Sequence, residues 1–383
     1  MTVTSSKVDW FSIVHMSDVH FVEPTQDQND MVNGFINFME YVRTKKISVN
    51  APLKLVCVDG DLTEKIISFN GSTWKHLFNA IVWLGRWCTE HGYILRLMRG
   101  TYSHDAEQMA NVVPIYDALK LDLNYRYIDK IELEYIPELD LRILYLPDDL
   151  PYNNSDEILD VVHDKLRELN WDYVDYAHVH GFFDFTCPEV ARSKQKIIYH
   201  AEQFSFVRKL VHAGHVHYYD TFENIVSNGN LDNLCFGEKG PKGLIVDVDK
   251  GDTVVATHIE NPFACPYSTL TFCEVDTTED IVGTIRAFLN GLKTTRLIHL
   301  QILLPDREKV QAVRKYVMLH YPHIRLKIGK VSVKAKDARV HGDTKYITAS
   351  VPDNAPTPDT IDTYLVQVVD GLTHEDVRWA LKE

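Results

Sequence analysis

Apolar positions in the first half of the chain follow two alternating periods. Continuous runs at Phe11 to His15, Leu53 to Val58 and Tyr93 to Met98 predict buried strands, each ending in turn-forming residues. Between them, Thr25 to Ile47 carries Met31, Phe35, Phe38, Met39 and Val42 at helical spacing, and Ser72 to Glu90 carries Trp74, Leu77, Ile81 and Leu84. Alternation of strand and helix predicts a layered α/β architecture with helices covering the sheet. A strand at Leu141 to Leu146 and a helix at Ser155 to Leu169 extend it. The pattern then turns to strands at Asp172 to His180, Lys209 to Ala213, Thr221 to Val226, Gly243 to Val248 and Thr253 to Ile259, so a second sheet packed on the first is expected.

Pro262 and Pro266 interrupt this pattern and place a boundary, giving a first domain over 1–263. The next stretch reads strand, helix, strand, helix, strand (Ser268 to Val275, Thr278 to Leu292, Leu297 to Leu304, Asp306 to Tyr321, Arg325 to Val333), a smaller α+β capping domain over 267–350. Residues 351–383 read as a proline-bearing linker and two short helices, Thr360 to Val369 and Thr373 to Leu381, that could dock a partner.

Composition narrows the class. The 383 residues are 45% hydrophobic and 25% charged, which excludes a disordered or fibrous chain. No apolar run approaches the roughly 18 residues of a membrane span, and no secretory leader is apparent, so a cytoplasmic protein without a membrane role is expected. Six cysteines without a C-x-x-C spacing fit reduced thiols acting as small core residues.

Metal-competent residues collect just beyond the predicted strands: Asp18-Val19-His20, Gly60-Asp61, Ser103-His104-Asp105, His178-Val179-His180-Gly181 and Gly214-His215-Val216-His217. Ligands in open α/β sheets bind outside the carboxyl ends of strands, so these five segments are expected to converge. Carboxylates with imidazoles and no thiolate suit Mn²⁺, Fe²⁺ or Zn²⁺. A pair of such ions about 3.5–4 Å apart clamps the attacking and leaving oxygens of a displacement at phosphorus, and needs one bridging carboxylate. Asp61 is the expected bridge, with Asp18, His20 and His217 on one ion and His180 and His215 on the other.

The order D-x-H, G-D, H-D, H-G, G-H-x-H resembles the calcineurin-like metallophosphoesterase superfamily. The stretch Ser227-Asn228-Gly229, Phe236-Gly237-Glu238-Lys239 and Lys242-Gly243 is similar to SbcD-type DNA repair nuclease subunits, and a compact version would fit a bacteriophage. The resemblance implies a four-layer metallophosphoesterase fold, two packed mixed sheets flanked by helices, with a capping domain. It implies a nuclease using two divalent ions, Mn²⁺, on DNA ends and single strands. It also implies a homodimer and a coiled-coil ATPase partner of the SbcC type. Asp18, His20, Asp61, His180, His215 and His217 carry over as metal ligands, His104 as the histidine at the scissile phosphate, and Asp105 as its orienter. The family's G-N-H-D is replaced by Gly100-Thr101-Tyr102-Ser103-His104-Asp105, which puts Ser103 or a water at the position of the asparagine ligand; Glu64 stands near the position of a family histidine.

His15 and His212 read as core residues held by backbone hydrogen bonds, and His178 as either direct ligand or support. Phe182 and Phe183 could line a DNA groove or the core. Charge is segregated: Arg314 to Lys345 holds nine Lys/Arg and two Asp, net +7, against −21 over the remainder. Arg325, Lys327, Lys330, Lys334 and Lys336 form a candidate basic face for phosphate contacts. A phosphoesterase acting on small phosphodiesters or phosphoproteins, and a weakly active DNA-end scaffold, remain open alternatives.

Overall fold

The computed structural model describes residues 10–330 except 22–26, 68–71, 188–191, 193–194, 239, 293 and 295. The chain divides into units 1–332 and 333–383, and all described residues lie in the first. Lys334, Lys336 and both expected C-terminal helices fall outside the described residues, as does the end of the expected last strand.

The first sheet contains β1 (Phe11–Met16), β2 (Leu53–Asp59), β3 (Ile94–Met98) and β4 (Tyr125–Ile128) running parallel, with β13 (Gly243–Asp249) and β14 (Val254–Glu260) added antiparallel in the order β14-β13-β1-β2-β3-β4. The second contains β5 (Glu132–Ile136), β6 (Leu141–Leu146), β7 (Val174–His180), β10 (Val207–Gly214), β11 (Tyr219–Phe222) and β12 (Ile225–Asn228) in the order β11-β12-β10-β7-β6-β5. Its four inner strands are parallel, and both edges are antiparallel. The pair β8 (Phe182–Phe183) and β9 (Ile198–Tyr199) stands apart.

Period-2 alternation assigns each side of a strand to a different core. On β1, Val14 and Met16 pack with Phe35 and Phe38 of helix α1 (Gln28–Tyr41) and Leu77, Ile81 and Leu84 of α2 (Ser72–His91). The opposite side of the same sheet presents Ile13, Leu55 and Met98 to Ile143, Tyr145 and Tyr176 of the second sheet. Short α3 (Val112–Leu119) adds Tyr116 to the first core, and the outer face of the second sheet is covered by α4 (Ser155–Glu168), whose Asn154 cap accepts from the Glu157 amide. Helix, sheet, sheet, helix is therefore the layering, as the alternating pattern predicts. One element differs: Thr221 to Val226 is not one strand but a hairpin, because Glu223 takes a left-handed backbone (φ 54°) between β11 and β12.

A third, parallel sheet of β15 (Tyr267–Thr271), β16 (Ile298–Leu304) and β17 (Ile324–Lys330) is crossed by α5 (Thr278–Gly291) and α6 (Arg307–His320). Ile281, Ile285, Leu300, Ile302, Val313 and Val317 give it a core of its own. Buried Arg296 joins this segment to the first layers, donating to Asp30 (2.5 Å) and Asp232 (2.9 Å). Among the described residues no helix is long and apolar enough to cross a membrane.

Candidate metal centre

Parallel strands of both sheets deliver their carboxyl ends to one place. Asp18 and His20 follow β1, Asp61 follows β2, His180 ends β7, and His215 and His217 follow β10. Four of these six adopt left-handed backbone: Asp18 (φ 51°), His20 (φ 50°), Asp61 (φ 49°) and His215 (φ 88°). Such conformations are costly for residues with a Cβ and persist where the surroundings impose them, which turns these side chains into a common cleft. Two glycines permit the close approach. Gly60 sits at φ 95°, where a Cβ would overlap His180 Nδ1 and lie 2.8 Å from Gly100 Cα; a Cβ on Gly100 would overlap the Asp61 backbone nitrogen.

Two triads result. Asp18, His20 and His217 place one ligand atom each within 4.8 Å of one another, and so do Asp61, His180 and His215. In the first, His217 Nε2 is 3.0 Å from His20 Nε2 and 3.7 Å from Asp18 Oδ1. In the second, His180 Nε2 is 3.2 Å from Asp61 Oδ2. Asp61 Oδ2 is also 3.9 Å from His20 Nε2, so this carboxylate faces both groups.

The donor chemistry fits a cation. His180 Nδ1 lies 2.6 Å from the Asp59 carbonyl, which accepts only, so Nδ1 carries a proton and Nε2, facing Asp61, is the nitrogen left to bind a cation. That Nε2 is buried and makes no hydrogen bond among the described residues. Carboxylates stand behind the imidazoles: His217 Nδ1 is 3.1 Å from Glu238 Oε1, and His20 Nδ1 is 2.7 Å from Glu64 Oε2, the arrangement that orients metal-binding histidines. Lys242 in turn donates to the His217 carbonyl (3.1 Å) and to Asn230 (2.6 Å). The Phe236-Gly237-Glu238 and Lys242-Gly243 stretch thus has a physical task, holding His217.

Burial disfavours charge on His20, but Asp18 and Glu64 outweigh it and push the imidazole up to about 10. Burial alone would raise the Asp18 carboxyl, yet His20, His180 and His217 hold it below the usual carboxylate range. Without a cation the centre therefore keeps protons on imidazoles that must lose them to become ligands. Metal binding is expected to release protons and to tighten as pH rises through the neutral range. Titration calorimetry with Mn²⁺ in two buffers of different ionisation enthalpy checks this; identical heats in both would contradict it.

The third segment departs from expectation. Ser103 is exposed on its turn and is not brought to either triad. Thr101 occupies that place: its amide donates to Asp61 Oδ1 (2.6 Å), and its hydroxyl lies 3.3 Å from Asp61 Oδ2 and 3.2 Å from His215 Nδ1. The two-residue insertion pushes the serine outward while Gly100-Thr101 keeps the strand-end position. Asp105 does not orient His104 either; its carboxylate accepts from the Gly100 amide (2.9 Å) and the Thr63 amide (3.0 Å). His104 is fixed by the Glu64 carbonyl, 2.6 Å from Nδ1, with its ring edge-on to His20 at 5.0 Å. Asp148, beyond β6, is 3.3 Å from the Thr101 hydroxyl and 3.9 Å from His215 Nδ1. The strand-end rule applied to Leu141 to Leu146 finds it.

Behind the triads, His178 Nδ1 meets Asp59 Oδ1 at 2.7 Å, Asn228 donates to Asp59 Oδ2 at 2.9 Å, and His212 lies between Asn228 (3.1 Å) and Asp247 (2.8 Å). His178 is therefore support and not part of the triads, and His212 takes side-chain partners where backbone ones are expected. Phe183 is buried in the second core, whereas Phe182 stands edge-on to His215 at 4.3 Å. Phe182, His215, Asp148, Tyr152 and Lys196 line an adjoining cavity of about 510 Å³. On β17, Arg325 and Lys327 are both exposed on one face, and Lys327 Nζ lies 5.9 Å from the Phe236 ring centroid. Lys330 ends the strand.

No family model and no curated protein matches this chain. Among solved structures the chain is similar to one described as "GAP50 the anchor in the inner membrane complex of Plasmodium", with a TM-score of 0.37 and 10% identity over 66% of this chain and 85% of that one. A likeness this slight bears on neither fold nor function.

Proposed function

We propose that the chain is a metal-dependent phosphodiesterase acting on DNA, the nuclease subunit of an SbcCD-type repair complex, working in the cytoplasm as a homodimer with a coiled-coil ATPase. The observation that carries this reading is the pair of carboxylate–imidazole triads linked by Asp61. Two Mn²⁺ ions bound there would polarise the scissile phosphate and supply hydroxide at neutral pH. Asp18, His20 and His217 would hold one ion, and Asp61, His180 and His215 the other, with Thr101 and Asp148 beside the second. Glu64 and Glu238 fix ring orientation. His104 keeps its Nδ1 proton on the Glu64 carbonyl, so its Nε2 is the atom that gives a proton to the leaving oxygen. Support for DNA as substrate comes from the order of the sequence motifs and from Arg325 and Lys327, exposed side by side and suited to backbone phosphates.

Incubation with Mn²⁺ and end-labelled duplex or single-stranded DNA is expected to yield cleavage products, and His104→Ala to slow their formation about 100-fold. No metal-dependent product from the wild-type chain would reject the nuclease. Faster turnover of bis-p-nitrophenyl phosphate than of DNA would favour a small-molecule substrate. For the basic face, Arg325→Glu with Lys327→Glu is expected to weaken DNA binding equally for all sequences and to flatten the logarithmic salt dependence by about 2. Fluorescence anisotropy across a salt series measures both.

A further inference from the structure

Between the two sheets, remote from water, lies a second group of metal-competent side chains. His15 on β1 and Cys57 on β2 are register neighbours facing the second sheet, and His178 on β7 faces them. All three are fully buried, and one ligand atom of each lies within 4.8 Å of the other two. Their surroundings match those of a built site. His178 turns Nδ1 to Asp59 Oδ1 (2.7 Å), and His15 turns Nε2 toward Asp247 Oδ2 (3.2 Å). Nε2 of His178 and both ring nitrogens of His15 are buried and make no hydrogen bond among the described residues, the His15 Nε2 contact with Asp247 being an ion-pair approach only. Buried polar atoms left without partners are rare and costly.

The His15 and His178 centroids are 5.1 Å apart with an interplanar angle of 26°, flatter than the 64° of His20 with His217 and the 83° of His180 with His215. His15 and His212, by contrast, lie face to face at 3.5 Å with an interplanar angle of 6°.

We propose that His15, Cys57 and His178 form an interior site for a thiophilic divalent cation of the Zn²⁺ class, which ties the two sheets together and is separate from the two strand-end triads. A thiolate with two imidazoles selects zinc over manganese, and carboxylates behind both imidazoles hold them in ligand orientation. Binding replaces the Cys57 S–H proton with the cation, and that proton leaves to solvent. The site is independent of the proposed nuclease, since it shares no residue with the two triads.

That difference supplies the test. The full chain, produced in zinc-depleted medium with Co²⁺, is expected to show a thiolate-to-cobalt charge-transfer band in the near ultraviolet. The band should persist in Asp61→Asn and vanish in Cys57→Ser. Zinc-edge X-ray absorption of the unmodified chain, expected to contain a sulfur shell, covers the case in which Cys57→Ser does not fold. A wild-type protein without the band, a band unchanged in Cys57→Ser, or a zinc shell of nitrogen and oxygen alone overturns the site. Loss of nuclease activity with the band retained leaves it standing.

Discussion

Asp61→Asn is expected to lower Mn²⁺-dependent DNA cleavage by a factor on the order of 10³ or more while leaving the fold intact. Asn is nearly isosteric, and its carbonyl oxygen can still accept from the Thr101 amide, which meets Asp61 Oδ1 at 2.6 Å. What it removes is the charge that faces both His180 (3.2 Å) and His20 (3.9 Å). Metal stabilisation of a phosphoryl transition state amounts to several kcal/mol, and each 1.36 kcal/mol is a factor of ten, so the loss of a shared ligand reaches about three decades. Single-turnover cleavage under saturating Mn²⁺, with thermal melting and metal content measured on the same preparation, checks it. A variant that binds metal as the wild type does and cuts within tenfold of its rate would show that Asp61 is not the shared ligand. His104→Ala is expected to give the complementary result, since it removes the proposed proton donor and leaves both triads whole.

Much of this centre was legible because strand ends are legible. A buried run such as Leu53 to Val58 marks a strand by its periodicity, and the polar residues that follow it must lie at the sheet's carboxyl edge. Asp18, His20, Asp61, His180, His215 and His217 all obey that rule, and they fall into the two groups expected from the sequence. Where the sequence misled, a backbone decision had intervened. The turn at residues 101–105 could place either Thr101 or Ser103 inward, and spacing does not distinguish them; the close approach of Gly100 to Asp61 decides for Thr101. The resemblance implies Asp105 as the orienter of His104, but adjacent residues in a tight turn point in different directions, and its carboxylate turns to the Gly100 and Thr63 amides. The interior network was less legible still. His15, Cys57, Asp59, His178, His212 and Asp247 come from β1, β2, β7, β10 and β13, and only the packing of one sheet on the other makes them neighbours.

That network sets the second large effect: Asp247→Ala is expected to destabilise the protein by about 3–5 kcal/mol, the cost of stripping one partner from a buried ionic group. Asp247 Oδ2 meets His212 Nε2 at 2.8 Å and His15 Nε2 at 3.2 Å, and all three side chains are excluded from water. Burial opposes a charged Asp247, but His212 and His15 hold its carboxyl well below the carboxylate range. Burial likewise opposes a charged His212, and Asp247 raises its pKa. The signs fix the pH dependence. A depressed carboxyl stabilises above its unfolded value of about 3.9 and loses that contribution as pH falls toward the folded value. A raised imidazole stabilises fully below its unfolded value of about 6.5 and loses that contribution as pH rises through the folded one. The gap between wild type and Asp247→Ala should therefore be widest from about pH 4 to 6.5 and narrow on either side. Urea unfolding at pH 5.5, 3 and 9 measures it. A gap equal at all three would mean that Asp247 contributes packing alone, with no ionic link between the sheets.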